Sequence, residues 1–378
     1  MGVGGRVPPP RPNRDLPALP ALPAAMPRKR TSPLADLLLA ALSLLTRRTG
    51  RGRRRGKAAS RGVGAARLLP RGLRARVALF ANLALLLALA VWFLLQPAAR
   101  QAEVRRLAAN YLDSSRSVSL TQLAGDILSL YYLNRDVACD YRQAEDAPVF
   151  GGLPVPTDGR APLRILRNTG YWVGYDETRR SPAWAAYRLP HVASPPRIAE
   201  RPDQFVTDTR TLARVSSNDY TGSGFDRGHL APNFAIARCY GEKAQQETFL
   251  MSNIVPQRHA LNAGNWKTLE TMEAISYPDR FEQVWVLAGP VYAATTTRFL
   301  PHGVPVPDAF YKIHVDQREG AVRAQAFLFR HAGTGKEDLQ SLLVSIDTIE
   351  QLTGLDFFPD LSEEEQRQLE ANPTPSVW

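Results

Sequence analysis

The residues with chemistry to offer lie between Gly224 and Glu270, a stretch that opens GFDRGHLAPN and closes FLMSNIVPQRHALNAGNWKTLE. Asp226-Arg227-Gly228-His229 sets an imidazole that titrates near neutral pH beside a permanent cation, with a glycine between them that admits close backbone approach of a ligand. That is a base next to an anion clamp. Asn253 in SNIVPQ and Asn262 in LNAGNW follow, neutral oxygen donors of the kind a hard cation such as Mg2+ accepts alongside retained waters, and Glu270 adds one carboxylate. Hydrolysis of a phosphodiester calls for such a set: a water made nucleophilic, charge stabilised on the equatorial oxygens, and a leaving oxygen that can depart at neutral pH.

Taken in order, DRGH-x-AP, SN-x-x-PQ and LN-x-G-x-W-x-x-LE form a compound pattern that resembles the DNA/RNA non-specific endonuclease family, the His-Me finger (ββα-metal) nucleases of endonuclease G type. The resemblance extends to WAAYRL before this core and to VWVLAGPVY, AFYKIHV and IEQLTGLDFF after it, from about Gly170 to Pro359. It implies an arrangement in which a strand brings His229 beside a helix that begins near Asn265. It also implies cleavage of DNA and RNA that depends on Mg2+, with Mn2+ as an alternative, and that leaves 5′-phosphates.

Roles follow residue by residue. His229 is the general base that takes a proton from the attacking water. Arg227 is fit for fork-like contact with phosphate oxygens and is assigned to both catalysis and substrate binding. By resemblance Asn262 is the one direct protein ligand of Mg2+, and Arg197, in PPRIAERPDQF, stands where the family has a transition-state arginine. Glu270 follows Asn262 by about 12 Å of helix axis, so it is assigned to act on the metal through water. Asn253 either binds phosphate or holds the active-site loop, and Asp226 fixes that loop by hydrogen bonds. The remaining histidines, His191, His259, His302, His314 and His331, read as structural. None of these groups reads base edges, so contacts fall on the DNA and RNA backbone and sequence specificity is low.

Two other classes compete. A membrane-tethered nucleic-acid-binding protein that keeps the fold without catalysis would show a broken motif, whereas the base, the arginine beside it and the metal asparagine all stand here. A zinc hydrolase lacks its spaced His/Cys ligands. The two cysteines, Cys139 and Cys239, fit either one disulfide or two unrelated thiols.

The elements that must position the site occupy the later part of the 378 residues. Net charge is +11, but residues 1–76 hold 18 Lys/Arg and 2 Asp/Glu, which leaves 29 basic and 34 acidic residues after Arg76. The catalytic part is mildly acidic, so the high overall charge is no argument for nucleic-acid binding. Residues 1–76 read as a disordered basic tail, broken by the apolar Leu34–Leu45, which suits an interfacial helix. Val77 to Leu95, VALFANLALLLALAVWFLL, has Asn82 as its one polar residue and is about 28 Å long as a helix, the length of a transmembrane anchor. The arginines before it place the N-terminus in the cytoplasm and the catalytic domain across the membrane, in the periplasm of a bacterial inner membrane or, alternatively, across the mitochondrial inner membrane. Partners are therefore the nucleic-acid backbone and, through 77–95, the lipid bilayer.

A helical stalk and linker is expected over 96–162, the nuclease domain over 163–361 and a peripheral acidic tail over 362–378. Tyr171–Tyr175 and Trp184–Leu189 suit a hairpin, and Val284–Leu287, Tyr311–Val315 and Ala324–Phe329 suit further strands. A helix capped by Asp347 and ended by Gly354 follows. The fold class is α+β, a ββα-metal nuclease with a mixed, largely antiparallel sheet, preceded by one transmembrane helix.

Overall fold

A computed structural model describes residues 71–378 apart from 133–135, 140, 145, 294–297 and 319. The basic tail up to residue 70, with Leu34–Leu45, lies outside the described residues. Of the described residues, 102–378 form one compact unit and 71–101 belong to a second.

In the second unit, helix α1, Arg71–Leu94, runs through the apolar stretch, and Leu79, Phe80, Leu86 and Leu87 lie exposed along it. Among the described residues no helix is long and apolar enough to cross a membrane. Side chains of α1 are described only from Leu79 onward, which leaves Leu79–Leu94.

Helix α2, Ala98–Leu112, leads into α3, Leu120–Tyr132. Both were expected to be a stalk, yet they are docked on the catalytic unit. Asn110 donates its Nδ2 to the Arg280 carbonyl oxygen at 3.0 Å, and Arg280 pairs with the Asp126 carboxylate. Arg318 reaches Glu103 at 3.2 Å.

The sheet is built from β1 (Val137–Ala138), β3 (Arg164–Asn168), β4 (Tyr171–Asp176), β5 (Ser181–Pro190), β8 (Gln283–Val291), β9 (Ala309–Arg318), β10 (Ala321–Arg330) and β11 (Leu343–Val344). Its order is β1-β10-β9-β8-β5-β4-β3, with β11 also on β10, and each of these pairings is antiparallel. The mixed character expected of the sheet is absent from these pairings. Short strand β2 (Val155–Pro156) pairs β12 (Leu355–Asp356) apart from it. Because β1 pairs β10, and because Cys139, Val149 and Phe150 are buried, the folded unit begins before Leu163.

Side chains alternate faces along a strand, so Tyr171, Val173 and Tyr175, with Tyr187, Leu189, Val284, Val286 and Phe310, line one face and form the main core. Two helices cover that face: α4, Asn233–Glu247, and a longer helix α5. Helix α5 runs through His259–Leu261, Asn262–Trp266, Lys267–Thr271, Met272–Ser276 and Tyr277–Phe281, with a kink at the non-helical Gly264 in the second segment and a π-helical turn over the fourth. Trp266, Leu269, Tyr277 and Phe281 of α5 enter the core, each burial contributing about 1.5 to 3 kcal/mol. On the opposite face Phe150 packs against Trp285 and Phe358, and Phe357 against Tyr311.

Helix α6, Ile346–Thr353, is capped by Ser345, whose side chain accepts from the Thr348 amide, rather than by Asp347, and it ends at a left-handed Gly354 as expected. The acidic tail is part of the fold: it forms helix α7, Glu363–Glu370, with a Ser362 and Glu365 capping box and a buried Leu369. Trp378 packs its ring against Tyr277 and Phe281.

Candidate active site

The site is assembled where a two-stranded hairpin meets the start of α5. Strand β6, Asp226–His229, pairs antiparallel with β7, Ile254–Gln257, with His229 opposite Ile254 and Asp226 opposite Gln257. A short helical turn, His259–Leu261, opens α5 and carries Asn262; Gly264, with φ −100° and ψ −122°, is not helical, so the helix proper begins near Asn265 with Asn262 ahead of it, as expected. Strand, strand and helix follow one another as the resemblance implied.

The kink at Gly264 is set by a close packing contact. A Cβ on Gly264 would come within 2.2 Å of the Gly335 carbonyl oxygen, so only glycine admits that loop. The Asn265 amide donates to the same carbonyl at 2.8 Å, and its side chain reaches the Glu337 carbonyl at 2.9 Å.

Gly228 has a different duty from the one expected. A Cβ there would meet the Gln257 side chain at 2.0 Å, so the missing side chain makes room for Gln257 across the hairpin and not for a ligand.

His229 is 8% exposed, with its ring centroid 4.9 Å from Phe249 and 5.5 Å from Phe205. Its carbonyl oxygen accepts from the Trp266 indole at 3.2 Å, which ties the end of β6 to α5. The Nε2 atom is buried without a hydrogen-bond partner. Burial first, and then the charge of Arg201, bring the imidazole down to about 3, so it is neutral near pH 7. A neutral ring with an unengaged nitrogen can accept a proton.

Asp226 accepts two hydrogen bonds on Oδ2, one from Asn262 Nδ2 at 2.9 Å and one shared with His259 Nδ1 at 2.9 Å. His259, read from sequence as structural, thus touches the site. With its Nδ2 turned to Asp226, Asn262 has its Oδ1 oxygen left to offer a cation. Glu270 is half-buried on the same helix; burial pushes its carboxyl up to about 7 against the opposing pull of Lys312 and Arg201.

Arg227 is engaged within the protein. Its Nη2 donates to the Ser217 carbonyl at 2.7 Å and to Thr221 Oγ1 at 3.3 Å, and its guanidinium sits 5.9 Å from the rings of Phe205 and Tyr220. Its Nε is buried without a partner. The side chain therefore braces the 217–221 segment and keeps only part of its fork for phosphate.

Asn253 is fully buried and its amide is committed. Oδ1 accepts from the Ala231 amide at 2.9 Å, while Nδ2 donates to the carbonyls of Ala231 and Thr248, both at 3.0 Å. Both donor hydrogens are used, which leaves none for phosphate. Of the two roles expected, holding the loop behind His229 is the one that this geometry serves.

Arg197 is exposed, and among the described residues no hydrogen bond or ion pair ties it to the site. Arg201, four residues on, is the arginine whose charge acts on both His229 and Glu270, and its guanidinium lies 5.1 Å over the Phe249 ring. Sequence reading missed this residue. Its one signal was the spacing to Phe205 in RPDQF, since Phe205 also packs on His229.

The two cysteines are free thiols, Cys139 buried and Cys239 half-buried, so the disulfide alternative is not realised.

A hairpin and helix that gather a neutral histidine, an amide oxygen and a carboxylate under an arginine define a site of the ββα nuclease class. The model of the DNA/RNA non-specific endonuclease family matches residues 154–364, and the chain belongs to that family of metal-dependent nucleases. It is 34% identical over 240 residues to the mitochondrial nuclease EXOG of Danio rerio, a match that covers 58% of this chain and 67% of that protein. To the EXOG of Homo sapiens it is 31% identical over 216 residues, covering 51% and 56%. To the mitochondrial endonuclease G of Homo sapiens it is 30% identical over 228 residues, covering 56% and 72%. The chain thus spans only part of the length of these relatives. Its fold is similar to a chain in the crystal structure of the EndoG/EndoGI complex, with TM-score 0.50 and 22% identity over 60% of this chain and 96% of that one.

Proposed function

We propose that the protein is an endonuclease that hydrolyses phosphodiester bonds of DNA and RNA with little sequence specificity. The observation that carries this reading is the buried, neutral His229 with an unengaged Nε2, set on the hairpin whose Asp226 orients Asn262.

His229 accepts the proton of the attacking water. Its low basicity keeps it in the acceptor form before substrate arrives, and the aromatic rings of Phe205 and Phe249 hold the imidazole in place. Arg201, exposed above Phe249, stabilises charge that builds on the phosphoryl oxygens. Arg227 presents what remains of its fork to phosphate and fixes the wall of the site. Asn253 keeps the loop after His229 in register.

Asn262 and Glu270 fit a hard cation, Mg2+ with Mn2+ as the substitute: Asn262 offers Oδ1 directly and Glu270 acts through water. The chemistry such a cation supplies is Lewis-acid polarisation of a phosphoryl oxygen and stabilisation of the leaving oxygen. The binding-only reading is the less favoured one, because a broken motif would be its sign and the base, the arginine beside it and the metal asparagine are all present in the sequence.

Val77–Leu95 would tether the enzyme to a bilayer. The reading rests on the apolar run and on the exposed leucines of α1. Of the two compartments, a mitochondrial location has support, from relatives named as mitochondrial, and the bacterial inner membrane is not supported. The test of the activity is conversion of supercoiled plasmid and of a structured RNA by the purified full chain in Mg2+, with EDTA as the control. Cleavage that proceeds unchanged in EDTA would contradict the metal role, and binding without cleavage would return the reading to the tethered binding protein.

A further inference from the structure

A second gathering of carboxylates lies at the other end of the chain, on elements that the nuclease reading does not use. Asp347 and Glu350 stand three residues apart on one face of α6, and Glu370 is the last residue of α7. One carboxylate oxygen from each falls within 4.8 Å of the others. Three protein carboxylates suit Ca2+, which takes about six to eight oxygens in flexible geometry, better than Mg2+, which is usually held by one or two carboxylates and keeps several waters.

Glu370 supplies the independent observation. It is 5% exposed, and its Oε1 is buried with no hydrogen-bond partner. A lone buried carboxylate oxygen is costly to leave unsatisfied. The charges that act on it are those of Glu350, Asp347 and Asp356, all of its own sign. Its position adds to the cost, because the C-terminal end of a helix carries partial negative charge, which repels a carboxylate and favours a cation. Glu350 is already anchored, with Oε1 accepting from the Phe357 amide at 2.8 Å.

A proton or a cation can relieve such crowding. A shared proton needs two oxygens, whereas oxygens from three residues on two helices form the start of an oxygen cage. We propose that Asp347, Glu350 and Glu370, with Asp356 beside them, bind one Ca2+ that clamps α7 to α6, separately from the catalytic cation.

The full chain, stripped with EDTA and carrying Asn262→Ala to weaken the catalytic site, is titrated with Ca2+ alone by calorimetry and by thermal unfolding. The expected result is about one Ca2+ per chain at concentrations up to about 1 mM, with a rise in Tm of several degrees. Adding Glu370→Gln should weaken Ca2+ binding at least tenfold and abolish the rise. Glu350→Gln, at a more exposed position, serves the same end if the first variant does not fold. Absence of Ca2+ binding in the Asn262→Ala chain would overturn the proposal, as would binding that survives both glutamine substitutions; the second outcome would mean that Glu370 is held by a proton.

Discussion

Asn262 donates its Nδ2 to Oδ2 of Asp226 at 2.9 Å, a hydrogen bond that joins the first residue of β6 to the first turn of α5. The bond decides which end of the amide faces outward. Asp226→Ala should release it and lower Mg2+ affinity by about 10 to 100-fold, the usual cost of removing a group that orients a ligand. A Mg2+ titration of cleavage by that variant reads the effect directly. Half-saturation unchanged from the parent chain would mean that Asn262 is held by something else.

Arg201 and Arg197 make opposing predictions. Arg201 acts on both His229 and Glu270, so Arg201→Ala should lower kcat by about 10² to 10³, the loss expected when one preorganised charge is removed from a transition state. Arg197→Ala should cleave plasmid at nearly the parent rate. The reverse order of effects would restore the assignment made from sequence.

Asn253→Ala should unfold more easily, by roughly 2 to 4 kcal/mol, because it strands the Ala231 amide and two carbonyls in the interior. Urea denaturation measures this. In the folded fraction KM for DNA should stay within about twofold of the parent; a large rise in KM at unchanged stability would instead assign Asn253 to phosphate.

Under α5 lies a buried ion cluster that the sequence did not announce. Glu273 accepts from Lys312 Nζ at 2.9 Å on both oxygens and from the Tyr187 hydroxyl at 2.8 Å, and it lies 2.7 Å from His314 Nε2. Burial alone would raise the Glu273 carboxyl; the charge of Lys312 and the bond to His314 outweigh it and hold it at about 2. Its folded value lies below its unfolded one, so its contribution to stability is full above about pH 4.5 and is lost as pH falls towards 2. Glu273→Gln leaves Lys312 as a buried cation without its counter-charge and should cost about 3 to 5 kcal/mol at pH 7. The variant should also lose less further stability than the parent between pH 4.5 and 2. Equal unfolding midpoints of parent and variant at pH 7 would contradict this account.

The legible part of the fold was the part with a local cause. Alternating apolar residues gave the hairpin of β4 and β5 and the long strands β8 to β10, and Gly354 ended α6 because its left-handed φ of 63° favours glycine. The hairpin-to-helix site was legible through its compound motif. What escaped depends on contacts between distant residues. The helix proper begins near Asn265 as expected, but the turn at His259–Leu261 and the kink after it were not foreseen, because the kink is shaped by Gly335, far along the chain, pressing on Gly264. Arg201 was passed over because its claim lies in Phe249 and His229, neither near it in sequence. Lys312 and His314 sit in AFYKIHV with the spacing of core residues, and only the folded chain shows that the core at that point is ionic. The acidic tail looked solvated, yet Leu369 and Trp378 fasten it to the domain.

The most direct measurement compares the full chain with His229→Ala on supercoiled plasmid in Mg2+, with DNA binding followed in EDTA. The account predicts that the parent nicks and linearises the plasmid. The variant should cleave at least 10²-fold more slowly while binding DNA as well as the parent does. Cleavage by His229→Ala at near the parent rate would contradict the claim that this imidazole is the base.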